Sequence, residues 1–116
     1  MDGLSGFNDV ADVRMAGLTE AMTEAVAAVE VYVNAATLSA RANLCLPNGK
    51  PDRAAFERHQ HCAHGLAWVA TYLETLRQTA GWAARLEAEG QFGDVEALLS
   101  QILFGEYCAQ LRGGIP

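Results

Sequence analysis

Isoleucine is almost absent from this chain, which has two against 21 alanines in 116 residues. Alanine is the best helix former and β-branched residues favour strands, so the composition argues against an all-β fold. Charge is also sparse: Asp, Glu, Lys and Arg make up 19% of the residues and hydrophobic types 51%. That is below the roughly 25% charged of ordinary soluble domains and excludes a disordered, highly solvated chain. Basic residues are few, 8 against 14 acidic for a net charge of −6, so the surface to hold a nucleic-acid backbone is missing. The three cysteines, Cys45, Cys62 and Cys108, are odd in number and have no paired spacing, which excludes a disulfide framework. Reduced thiols in a cytoplasmic protein are expected instead. Met1 to Asn8 has neither the basic nor the apolar region of a signal peptide. The uncharged run Val31 to Ala40 falls well short of the roughly 20 residues a membrane span requires.

The usual catalytic signatures are missing as well. There is no Gly-x-Gly-x-x-Gly, no Walker loop and no serine in a nucleophile elbow. Ser39 and Ser100 stand alone on helical stretches, and nothing pairs Cys62 with an orienting acid. Glu20, Glu24 and Glu30 could act as general acids, but they lack a partner base and read as a solvated face.

What is present is helical periodicity broken at two places. Pro47-Asn48-Gly49-Lys50-Pro51 and Glu89-Gly90-Gln91-Phe92-Gly93-Asp94 are turn signals. They leave three helices at about 8–43, 51–88 and 94–111 in one helical domain. In the first, Met15, Leu18, Met22, Val26, Val29, Val33 and Ala36 recur at steps of three and four and form one face. A second stripe of Val31, Ala35, Leu38, Ala42 and Cys45 lies beside it and predicts burial on two sides. Gly17 marks a bend or a close contact, since glycine costs about 1 kcal/mol against alanine within a helix. Pro51 suits the first turn of the second helix. Its core face is expected to be Phe56, Ala63, Leu66, Val69, Ala70, Leu73, Leu76, Ala80 and Ala83, and a stripe of His61, Gly65, Trp68, Tyr72, Thr75 and Trp82 lies beside it. The third helix, capped by Asp94, offers Val95, Leu98, Leu99, Ile102, Leu103, Tyr107 and Leu111.

The expected fold class is therefore all-α, a long antiparallel helical hairpin with a shorter third helix. At 1.5 Å per residue the two long helices are each roughly 55 Å if unbroken, and the third is about half that. One short helix cannot cover both. The bundle is expected to be completed by a second copy or by the remainder of a longer chain. Gly113-Gly114-Ile115-Pro116 reads as a helix stop followed by an exit toward another segment, as in the N-terminal part of a longer protein.

Two clusters could carry chemistry. Glu57, His61 and His64 would share a face of an unbroken helix and could supply part of a metal site. Gln60 stands where a Glu-x-x-His motif would need its histidine, so a solvated or interface face is the commoner use of such residues. Trp68, Tyr72 and Trp82 could form an interface or line a ligand groove, although an aromatic stripe at helical spacing is more often packing.

Particular residues also suggest a family. His64-Gly65-Leu66-Ala67-Trp68-Val69-Ala70-Thr71-Tyr72, Leu76-Arg77-Gln78, Leu103-Phe104-Gly105-Glu106-Tyr107 and Gln110-Leu111-Arg112-Gly113-Gly114-Ile115-Pro116 resemble the helical N-terminal extension of bacterial acyl-CoA dehydrogenases of the methylsuccinyl-CoA dehydrogenase type. The resemblance runs from about Pro51 to Pro116, and the first helix shares only helical character. It implies a parent flavoprotein that removes two hydrogens across the α,β-carbons of an acyl-CoA thioester. FAD and a glutamate base would do this, and electrons would pass to an electron-transfer flavoprotein. The family's flavin domain, base and CoA channel match nothing here, so no catalytic or cofactor-binding residue is carried over. The resemblance does not explain the His59–His64 cluster.

Overall fold

A computed structural model describes residues 14–114 of the chain. Among these residues there are four helices: α1 (Leu18–Leu44), α2 (Arg53–Arg58), α3 (Gln60–Ala88) and α4 (Asp94–Gly113). Among the described residues the fold is all-α, with the expected long pair and a shorter helix packed against it.

Helix α1 starts later than the periodicity suggests. Gly17, at φ 68°, takes the left-handed conformation that glycine adopts without strain, and the Ala21 N–H donates to its carbonyl at 2.9 Å. Residues 14–17 are not helical, and the expected start near Asn8 lies outside the described residues. The Pro-Asn-Gly-Lys-Pro segment forms a tight reversal. The Gly49 N–H donates to the Leu46 carbonyl and the Leu46 N–H to the Lys50 carbonyl, both at 2.8 Å, and Gly49 sits at φ 83°. Pro51 lies before the following helix rather than in its first turn, and Asp52 caps that helix, accepting from the N–H groups of Ala54 and Ala55 at 3.1 and 3.3 Å.

The expected continuous second helix is divided. At His59 the backbone leaves the helical region (φ −120°, ψ 39°), which separates the short α2 from α3. Gly90, at φ 70°, ends α3. The Gln91 N–H donates to the Leu86 carbonyl at 2.7 Å, satisfying a carbonyl the helix end would otherwise leave unpaired.

Helices α1 and α3 run antiparallel: Thr19 meets Glu87 at one end and Glu30 meets Arg77 further in. Their seam is apolar. Leu18, Met22, Leu76 and Ala83 join Ala97 and Phe104 of α4 in the larger cluster, and Val33, Val69 and Leu73 form a smaller one. The stripe from Leu18 to Val33 therefore packs as expected, whereas Met15 is exposed and Phe56 and Ala70 face solvent. In α4 the buried positions are Ala97, Ser100 and Phe104, and three of the expected apolar residues, Val95, Leu99 and Ile102, point outward. The second α1 stripe also stands uncovered, with Val31 70% and Leu38 68% exposed.

The shape accounts for this. The principal extents are 68 × 29 × 16 Å and the radius of gyration is 19.0 Å, where a compact domain of this size would have about 13 Å. The length is that of the α1–α3 pair, and the shorter α4 packs against both and covers only part of it. Replacing Leu76, which has no exposed surface, with alanine should cost about 2–5 kcal/mol. Leu38→Ala, on the open side of α1, should stay within about 0.5 kcal/mol in the monomer. Urea unfolding followed by circular dichroism measures both.

Candidate functional site

The aromatic residues of α3 form a ladder, but not the trio expected from spacing. His64, Trp68 and Tyr72 follow at intervals of four, one above another on the helix. The His64 and Trp68 rings meet edge-on at 5.9 Å, and Trp68 and Tyr72 at 5.8 Å. Tyr72 then stacks on Tyr107 of α4, 4.6 Å between centroids and 9° from parallel. Its hydroxyl, well inside the fold, donates to Gln110 Oε1 at 2.5 Å. Tyr72 is buried and acts as packing; Trp68 is 41% exposed.

Trp82 stands apart, ten residues or ~15 Å along the axis from Tyr72. Its ring meets the edge of Phe92 at 6.4 Å. Arg14 lays its guanidinium 5.4 Å from the centre of the same Phe92 ring, donates to the Phe92 carbonyl at 3.2 Å and pairs with Asp94 at 3.3 Å. Trp82 also lines an open groove of about 540 Å³ between α3 and α4 together with Leu99, Ile102, Leu103 and Tyr107, with Glu106 at its rim. The expected aromatic site thus resolves into a ladder and a separate groove, joined by Tyr107. The sequence places Tyr107 and Gln110 in family-like motifs but does not link either to Tyr72, because contacts 35 and 38 residues distant leave no local pattern.

The residues proposed for a metal are not assembled into a site. The break at His59 takes Glu57 off the helix that carries His61 and His64. All three border a surface recess, which Arg58, a cation, borders too. Glu57 faces Arg53 at 3.8 Å, and His64 Nε2 accepts from the Trp68 indole N–H at 2.7 Å. Among the described residues no three His, Cys, Asp or Glu side chains converge on a point where a metal ion could sit.

The glutamates are distributed as a solvated face would have them. Glu30 pairs with Arg77 at 2.9 Å, and Arg77 also reaches Glu74 at 2.6 Å. The Gln78 amide and then Arg77 hold the Glu74 carboxyl below the usual carboxylate range. A lowered folded-state pKa contributes stability above the unfolded value and loses it as the pH falls through the folded one. Glu74 is exposed, so this ion-pair triad is a surface tie between helices rather than a reactive centre. Among the described residues no helix is long and apolar enough to cross a membrane.

Two outcomes follow from this geometry. Tyr72→Phe keeps the stack but removes the bond to Gln110, and should lower unfolding stability by about 0.5–1.5 kcal/mol. Of the three free thiols, Cys62 is exposed, whereas burial pushes the Cys108 thiol above its usual pKa. Thiol titration with a disulfide reagent near neutral pH should modify Cys62 first and Cys108 later, because the thiolate is the nucleophile.

No family model matches this chain. It is similar to a curated relative, the (2S)-methylsuccinyl-CoA dehydrogenase of Cereibacter sphaeroides, at 59% identity over 69 residues. That stretch is 60% of this chain and 13% of the relative's length. The resemblance read from the motifs of α3 and α4 is therefore borne out: over this stretch the chain is acyl-CoA dehydrogenase-like.

Proposed function

We propose that this chain is a non-catalytic helical module of an acyl-CoA dehydrogenase-like flavoprotein, where it contributes interface rather than chemistry. The observation that carries this reading is the elongated helical fold with its exposed apolar side chains, together with 59% identity to one part of such an enzyme. Val31, Leu38, Val95, Leu99 and Ile102 are left in water, and apolar faces of that kind are buried against neighbouring elements in stable domains. The partner would be the remainder of the parent chain or a second copy.

In the parent protein an acyl-CoA thioester would be dehydrogenated across its α,β-carbons. FAD would take up the hydrogens, and an electron-transfer flavoprotein would receive the electrons. The described residues do not suit FAD. The apolar groove between α3 and α4 has an acidic side chain, Glu106, as its charged group, which would repel a pyrophosphate. No step of the reaction is therefore assigned to this chain. Its part would be to hold the assembly together and to narrow substrate access from outside. Free cysteines and an acidic surface suit a cytoplasmic protein with no nucleic-acid partner.

Antibodies raised against this chain can recover the native protein from its own cells for mass determination and visible spectroscopy. The expected product is several times longer than this chain, carries flavin absorption and bleaches on addition of an acyl-CoA thioester. A flavin-free polypeptide of this chain's length, with no flavoprotein bound to it, would overturn the reading.

A further inference from the structure

We propose that the outward side of α1 is the contact between two copies of this chain, which meet there as antiparallel helices around a two-fold axis. The inference deepens the interface role proposed above and names its surface and occupant. At about 100° per residue, Met22, Val29, Val33 and Ala40 lie on one side of α1 and Ala28, Val31, Ala35, Leu38 and Ala42 on the opposite side. The first group faces α3 or lies beside its contact, whereas every member of the second is exposed. The exposed five recur at steps of three and four, the spacing at which side chains of paired helices interlock as knobs into holes. Large and small residues alternate along the row, so an antiparallel copy can set Leu38 over Ala28 of the second copy and Val31 over Ala35 of the second copy. Each pairing occurs twice by symmetry. Tyr32, half exposed, flanks the middle of the row.

Charge decides the orientation. Glu24 stands at one end of the row and Arg41 at the other, both exposed and neither in an ion pair among the described residues. Antiparallel pairing with Leu38 over Ala28 sets Glu24 of each helix beside Arg41 of the other. Parallel pairing would set Glu24 beside Glu24 and Arg41 beside Arg41, which repel. The antiparallel contact is isologous, so it closes at two copies and leaves no free complementary surface for further growth. It also covers the apolar row of α1 that α3 and α4 leave exposed.

Sedimentation velocity on the whole chain, at rising concentration and low salt, tests the contact. The expected result is a monomer–dimer equilibrium. Leu38→Glu should abolish the dimer and leave the circular dichroism spectrum unchanged, since the residue is exposed in the monomer. Glu24→Arg and Arg41→Glu should each weaken association roughly five- to tenfold, and the double reversal should restore it. A chain that stays monomeric at every concentration would overturn the proposal. So would a double reversal no better than the single changes, or a dimer that survives Leu38→Glu and is dissolved by Ile102→Glu on α4. None of these results bears on whether the parent protein carries a flavin, so the two readings can fail separately.

Discussion

The seam between α1 and α3 is the contact on which the rest of the molecule depends, and its geometry limits what the other helix can do. Two antiparallel helices can bury one stripe each. Here the stripes are Leu18, Met22, Val26, Val29 and Val33 on α1 and Val69, Leu73, Leu76, Ala80 and Ala83 on α3. Alanines at 80 and 83 let the helices approach closely near the end where α4 joins, and Leu76 and Ala83 lose all their exposed surface there. Helix α4 packs against both members of the pair, sharing the Leu18, Met22, Leu76 and Ala83 cluster through Ala97 and Phe104, and leaves the outer sides of α1 and α4 uncovered. The sequence follows that arrangement: α1 and α4 carry apolar residues on both of their opposite faces, a distribution that belongs to helices with neighbours on two sides.

What holds α4 in place is partly aromatic and partly polar. The Tyr72–Tyr107 stack and the Tyr72–Gln110 bond fix its C-terminal half, and Phe92, with Trp82 on one side and Arg14 near its face, fixes the turn before it. Aromatic pairs of this kind are worth about 0.5–1.5 kcal/mol beyond the area they bury. The surface ion pairs, Arg77 with Glu30 and Arg14 with Asp94, are each worth at most about 1 kcal/mol. They set register between elements that apolar contact has already brought together. Arg14 is informative because it lies before α1 and binds the turn after α3, tying the start of the described chain to the start of α4.

Some of this was legible in the residues alone. The two turn signals mark the ends of helices because proline, Asn-Gly and glycine act locally, and the observed reversals at Gly49 and Gly90 use them in the expected way. The Leu18–Val33 stripe was legible because period 3.6 is a property of the helix itself. The break at His59 was not, since His59 is neither glycine nor proline and no turn signal marks it. That break is what undoes the Glu57, His61, His64 series. In α4 the periodicity fits two faces equally well, and only packing against Leu76 and Ala83 selects Ala97, Ser100 and Phe104. Two of these three are small and the third, Phe104, is a large apolar side chain that completes the cluster. Trp68 and Tyr72 were rightly read as neighbours, whereas Trp82 shares their stripe but lies too far along the helix to touch them.

The two open faces are chemically unlike, and this bears on what each can receive. The α1 face is a ridge of alternating small and branched residues with opposite charges at its ends, a surface complementary to itself when reversed. The α3–α4 face is a groove floored by Trp82, Leu103 and Tyr107 with acidic Glu106 at the rim, and two copies of it would bring like charge to like charge. A groove accepts a protruding element and a ridge accepts its own antiparallel image, so the same surface cannot serve both. In the proposed dimer the second copy lies on α1, and whatever fills the α3–α4 groove would differ from it in shape: an apolar element with a cation or a neutral donor placed to meet Glu106. Under the proposed function, the groove would then take the rest of a parent chain and the ridge a second copy.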